Sequence, residues 1–101
     1  MMMLNPAHPG ELIRETIDGL QEEMGQKYTV EDIASALGTT RKTLSAIINK
    51  QQSVTPKMAL RLATAFQNTT PEFWLIVQDY YDLAQARHTF VPEQVRVMWH
   101  A

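Results

Sequence analysis

"TVEDIASALGTTRKTLSAIINKQQ", residues 29–52, decides how this chain folds. Val30, Ile33, Ala34 and Leu37 recur with the period of one helical face. Thr29 stands where a helix cap stands, and Asp32, three residues on, is a weaker form of the capping-box acid. Glu31 and Asp32 suit the positive end of the helix dipole. Gly38 ends this short helix, because glycine readily takes the left-handed conformation of a helix terminus. Thr39 or Thr40 then caps a second helix, whose apolar positions are Leu44, Ile47 and Ile48.

Two short helices joined at a glycine make a helix-turn-helix, and the spacing is specific. In a window of twenty residues counted from Val30, Ala34 falls fifth, where the helices touch and a small side chain is needed, and Gly38 falls ninth, in the turn. Ile33, Leu37, Leu44 and Ile47 fall at the positions that fill the angle between the helices. Such a unit, here about residues 30–49, lays its second helix in the DNA major groove. Thr40, Arg41, Lys42, Thr43, Ser45 and Asn49 are the candidate base-contacting residues. Arg41 and Lys42 suit guanine, and Asn49 suits adenine. Ala46 suits a thymine methyl group. Lys50, Gln51, Gln52, Ser53, Thr55 and Lys57 follow in a loop placed for backbone phosphates.

Charge supports this reading. The whole chain is acidic, at net −2. Residues 1–32 sum to −5 and residues 72–101 to −2, whereas residues 33–71 carry Arg41, Lys42, Lys50, Lys57 and Arg61 with no acid and sum to +5. Carboxylates there would repel phosphate, and a central cationic block between acidic flanks fits one DNA-facing surface.

The rest of the chain reads as more helices. After Pro9, Ile13, Ile17, Leu20 and Met24 form an apolar stripe, and Glu11, Glu15, Asp18 and Glu22 form an acidic one. The end of this helix falls between Gly19 and Gly25. Thr55–Pro56 and Thr70–Pro71 start two further helices, each with a capping hydroxyl followed by proline in the first turn. The last of these, roughly 71–87, is apolar on more than one face, which predicts a second buried contact, such as another subunit. In the tail, residues 88–101, alternation over 94–99 favours a short strand, for partner contact or for packing on the core, while Pro92–Glu93 equally suits a helical turn. The expected architecture is all-α: five helices over residues 1–87, with a short C-terminal tail.

Several function classes are disfavoured. There is no cysteine, so there are no disulfides or thiolate metal sites, which fits a reducing cytoplasm. His8, His88 and His100 have no partner at helical metal-site spacing. No glycine-rich phosphate loop is present, and Ser35, Ser45 and Ser53 lie in no triad-like order. The expectation is no catalysis, no metal and no cofactor. The start of the chain lacks a signal-peptide pattern, and "FWLIV" is too short to span a bilayer, so no membrane association is expected.

Residues 30–66 resemble the xenobiotic-response-element (XRE) class of helix-turn-helix proteins. "HPGELIRE" at 8–15, "ALRLATAF" at 59–66 and "TPEFWLIVQDYYDL" at 70–83 extend the resemblance to HigA-type antitoxins of type II toxin–antitoxin systems. The resemblance implies a five-helix lambda-repressor-like helix-turn-helix domain that forms a homodimer on a palindromic operator in its own promoter. It also implies a partner, a small basic ribosome-dependent mRNA-cleaving toxin. Dimer contacts would lie around Trp74, Val77, Gln78 and Tyr81. The acids Glu11, Glu15, Asp18 and Glu22 either complement the toxin or form an ordinary solvated helix face. The chain departs from the family pattern in three places. Asn49-Lys50-Gln51-Gln52 replaces an Asn-Gly followed by basic residues. Gln67–Asn68 replaces a glycine after the fourth helix, where asparagine suits the left-handed geometry. "DGLQEEMGQKY" at 18–28 is a longer link than usual. The competing readings are a free-standing repressor and an interaction adaptor that has lost DNA binding.

Overall fold

The computed structural model describes residues 5–100. Five helices follow one another: α1 (Pro9–Met24), α2 (Val30–Leu37), α3 (Arg41–Ile48), α4 (Pro56–Ala65) and α5 (Pro71–Thr89). The described residues contain no strand.

Hydroxyl caps set four of the five helix starts. Thr29, Thr40, Thr55 and Thr70 each accept a backbone N–H three residues on, at 3.1–3.2 Å. Thr29 and Asp32 form a complete capping box, since the Asp32 carboxylate also accepts the Thr29 N–H at 2.9 Å. Those hydrogen bonds to Thr29 hold the Asp32 carboxyl below its ordinary pKa. Helix α1 is capped by a different group: His8 Nδ1 accepts the Gly10 N–H at 2.9 Å, with Pro9 in the first turn.

The ends of α2 and α3 share one geometry. After α2, Gly38 N–H reaches Ser35 O and Thr39 N–H reaches Ala34 O, with Gly38 at φ 72. After α3, Lys50 N–H reaches Ile47 O and Gln51 N–H reaches Ala46 O, with Lys50 at φ 63. This paired closure satisfies the last carbonyls and needs a left-handed residue. Lys50 is the one non-glycine residue with positive φ among those described.

The core joins Ile13 and Ile17 of α1, Ile33, Ala34 and Leu37 of α2, Leu44, Ile47 and Ile48 of α3, Met58, Ala59 and Leu62 of α4, and Trp74 of α5. Helix α3 packs on α1 and α2, while α4 packs on α2 and α5. At Gly10 the first turn of α1 crosses the backbone of α3, so a Cβ there would overlap the Ile47 carbonyl oxygen. That close approach explains the glycine in "HPGE".

Three local expectations are corrected. Most of the stretch read as a long link between α1 and α2 is helix, because α1 ends at the far limit of its expected range, running to Met24 and stopping at left-handed Gly25. Asn68 is not left-handed; the turn after α4 is closed instead by Thr69 N–H to Phe66 O at 2.9 Å. Among the described residues the tail forms no strand, and the alternative reading, a helical turn from Pro92, holds. A 3₁₀ turn covers Pro92–Gln94, and residues 95–100 are exposed without regular structure. Helix α5 also runs two residues past its expected end.

Candidate nucleic-acid interface

Helix α3 turns Leu44, Ile47 and Ile48 into the core. At about 100° per residue, the opposite face centres on Lys42, Ser45, Ala46 and Asn49, with Arg41 and Thr43 on its flanks. Arg41, Lys42 and Asn49 are exposed, and Thr43, Ser45 and Ala46 are half-buried. Small residues at 43, 45 and 46 leave the backbone of the helix accessible to a groove. Thr40 lies at the cap: its hydroxyl accepts the Thr43 N–H and donates to Thr43 Oγ1 at 3.0 Å. The Thr40 side chain is therefore already engaged in starting the helix, and it fixes the Thr43 hydroxyl beside Arg41 and Lys42.

The loop after α3 is held from below by α5. Gln78 Oε1 accepts the buried Val54 N–H at 2.8 Å, and Gln78 Nε2 donates to Asp82 at 2.9 Å. Lys50, Gln51, Gln52, Ser53, Thr55 and Lys57 all stay exposed around that anchor. Thr55 has a second task, because its hydroxyl caps α4.

The cationic block divides by what each charge touches. Arg61 donates from Nη1 to Leu37 O and Gly38 O, each at 3.1 Å, and so braces the turn between α2 and α3. Lys50 forms an ion pair with Glu11. The Glu11 carboxylate, by hydrogen bond and by charge, pushes the Lys50 ammonium above its ordinary pKa. Among the described residues, Arg41, Lys42 and Lys57 take part in no intramolecular ion pair.

The residues expected at a subunit contact separate in the structure. Trp74 and Gln78 are buried inside the chain, at 1% and 3% exposure. The Trp74 indole donates to Thr69 Oγ1 at 2.9 Å, and Gln78 holds Val54. Val77 and Tyr81 are half-buried, and the Tyr81 ring stands edge-on to His8 at 4.7 Å. The outward face of α5 carries Phe73, Ile76, Tyr80 and Leu83 instead, at 41–50% exposure. Phe73, Ile76 and Tyr80 border an apolar groove completed by Pro6, Ala7, Leu12 and Val77. Of the acidic stripe, Glu15, Asp18 and Glu22 are exposed, while Glu11 is half-buried against Lys50.

Sequence reasoning missed the structural roles of three residues. His8 is buried at 2% exposure and caps α1. Burial pushes its pKa down, opposed by Asp82 and Glu11 and assisted by Lys50. The signal was the proline directly after it. Gln78 and Arg61 had no such signal, because their partners lie 24 and 23–24 residues away in the chain.

Among the described residues, no group of His, Asp or Glu side chains is placed to hold a metal ion, and no helix is long and apolar enough to cross a membrane.

The Helix-turn-helix (HTH_3) family model matches residues 23–74, which span α2, α3 and α4. Virulence-associated protein A' of Dichelobacter nodosus is 43% identical over 97 residues, covering 96% of this chain and 78% of that protein. Antitoxin HigA-1 of Vibrio cholerae is 38% identical over 88 residues, covering 87% of this chain and 77% of its own length. Among solved structures, antitoxin GraA in complex with its operator superposes with a TM-score of 0.75 at 35% identity, covering 99% of this chain and 97% of that one. The chain belongs to the XRE-type helix-turn-helix family, in the group that includes the HigA-type antitoxins.

Proposed function

We propose that this chain is the DNA-binding antitoxin of a toxin–antitoxin pair, acting in the cytoplasm as a homodimeric repressor of its own operon. The observation that carries the reading is the outward face of α3. It presents Arg41, Lys42, Ser45 and Asn49 on a helix whose other side is fully packed. A relative similar over nearly its whole length has been solved on its operator.

In this reading, Lys42 and Asn49 reach base edges, Arg41, Thr43 and Ser45 read the flanks of the groove, and Thr40 positions them. Lys50, Gln51, Gln52, Ser53, Thr55 and Lys57 follow the phosphate backbone. Two copies associate through α5. Phe73, Ile76, Tyr80 and Leu83 repeat at spacings of three, four and three, which gives one apolar seam. A two-fold axis there places the two α3 helices in successive major grooves, about 34 Å apart, on a palindromic site. The bound dimer then excludes polymerase. The partner is a small basic mRNA-cleaving toxin, met by Glu15, Asp18 and Glu22 on α1.

The test is a footprint on the DNA upstream of the chain's own reading frame, with co-expression of any adjoining small basic protein. Protection of an inverted repeat, together with co-purification of that protein and relief of its toxicity, supports the reading. Protection without any associated toxin leaves a free-standing repressor. No preference over random DNA removes the repressor role altogether.

A further inference from the structure

Lys50 occupies an uncommon seat. The same closure ends α2 with Gly38 and α3 with Lys50, and both residues are left-handed. A lysine in that conformation strains against its own Cβ, where glycine would not. Its ammonium does not extend freely into solvent. It meets the Glu11 carboxylate, and both side chains are roughly half exposed, at 47% and 43%.

Glu11 is held there by backbone contacts. It lies in the first turn of α1, directly after Gly10, and Gly10 is pressed on the backbone of Ile47 and Ile48, the residues just before Asn49 and Lys50. His8 fixes the same turn through the Gly10 N–H. The donor and the acceptor are thus carried by two segments that cannot slide apart while the helices remain packed.

A carboxylate and a phosphate oxygen satisfy an ammonium in the same way. We propose that Glu11 is a built-in competitor for DNA: it occupies the Lys50 ammonium that a backbone phosphate would otherwise take, and so sets a lower intrinsic DNA affinity. This rests on the reading that the loop after α3 faces the phosphate backbone. When DNA binds, Lys50 leaves Glu11 for a phosphate, and Glu11 remains nearby as an uncompensated negative charge. Each protomer therefore neutralises less phosphate charge than its count of cations implies. Exposed pairs of this kind are individually weak, so the competition tunes affinity and does not act as a lock.

The experiment is a salt titration of binding by the full chain to a labelled random duplex and to a duplex from its own promoter. Glu11→Gln is expected to bind both about three- to thirtyfold more tightly per dimer at low salt. It should also steepen the log–log salt dependence, by up to about 0.9 per protomer. The slope does not depend on the fraction of active protein, so a partly unfolded preparation would not mask the effect. In a Lys50→Gln background the same substitution should change little. Glu23→Gln, the same charge change at the far end of α1, should leave the slope unaltered. The proposal is overturned if Glu11→Gln binds no more tightly than the parent while Lys57→Ala and Lys50→Gln weaken binding. It is equally overturned if Glu11→Gln strengthens binding by the same factor with Lys50 absent, which would be a bulk charge effect. If neither Lys57→Ala nor Lys50→Gln weakens binding, the loop does not meet phosphate, and the inference falls with that reading.

Discussion

Helices α3 and α5 begin alike and finish in opposite roles. Each starts at a threonine whose hydroxyl accepts the backbone N–H three residues on. Each then buries one face in the same core. Helix α3 turns cations and small polar groups outward, so what it lacks is an anionic surface. Helix α5 turns Phe73, Ile76, Tyr80 and Leu83 outward, so what it lacks is apolar area. In the proposed reading the apolar seam of one helix and the unpaired cationic face of the other serve two different partners. The two faces are also tied together mechanically, because Gln78 of α5 holds the backbone of the loop that follows α3.

The comparison breaks most severely at Gly10. A methyl group there meets the α3 backbone, so Gly10→Ala should cost about 3 kcal/mol of stability, read from urea unfolding. A cost near zero would mean that α1 and α3 are not locked. Gln78→Met tests the mechanical tie. It leaves the buried Val54 N–H without an acceptor and should cost about 1–3 kcal/mol, while also weakening binding to DNA. Lys42→Ala sharpens the contrast from the other side: DNA affinity should fall by about 1–3 kcal/mol with preference relaxed at one position per half-site, and the unfolding midpoint should not move.

The smallest effect belongs to His8. Burial holds its folded pKa below the ordinary value of 6.5, so between the two values the unfolded chain binds the extra proton. Stability should therefore be fully present above about pH 6.5 and decline as pH falls through the window beneath it, at no more than about 1.4 kcal/mol per pH unit. His8→Asn keeps a capping acceptor without a titrating group and should flatten that dependence. An unchanged pH profile would place the titration elsewhere. Asp82, Glu11, Lys50 and the Tyr81 ring are the groups that face the imidazole.

Legibility followed the range of the interactions. The helix-turn-helix could be read because caps, glycine stops and apolar spacing act over three or four residues. Thr29, Gly38, Thr40, Leu44 and Ile47 all stand where those rules place them. Helix α5 was harder, since apolar residues surround it and periodicity alone cannot say which face turns inward. The expected contact set of Trp74, Val77, Gln78 and Tyr81 is one position out of phase with most of the exposed seam. The inward face is chosen by distant partners: the Val54 N–H needs Gln78, and the Trp74 indole reaches Thr69. The ion pair of Glu11 with Lys50 was hidden for the same reason, because only the packing of α1 on α3 brings the two together.

The most direct measurement is the affinity of the intact chain for its own promoter fragment against a scrambled duplex of equal length, at one physiological salt concentration. The account predicts a preference of at least about a thousandfold. Equal affinity for the two duplexes would contradict it.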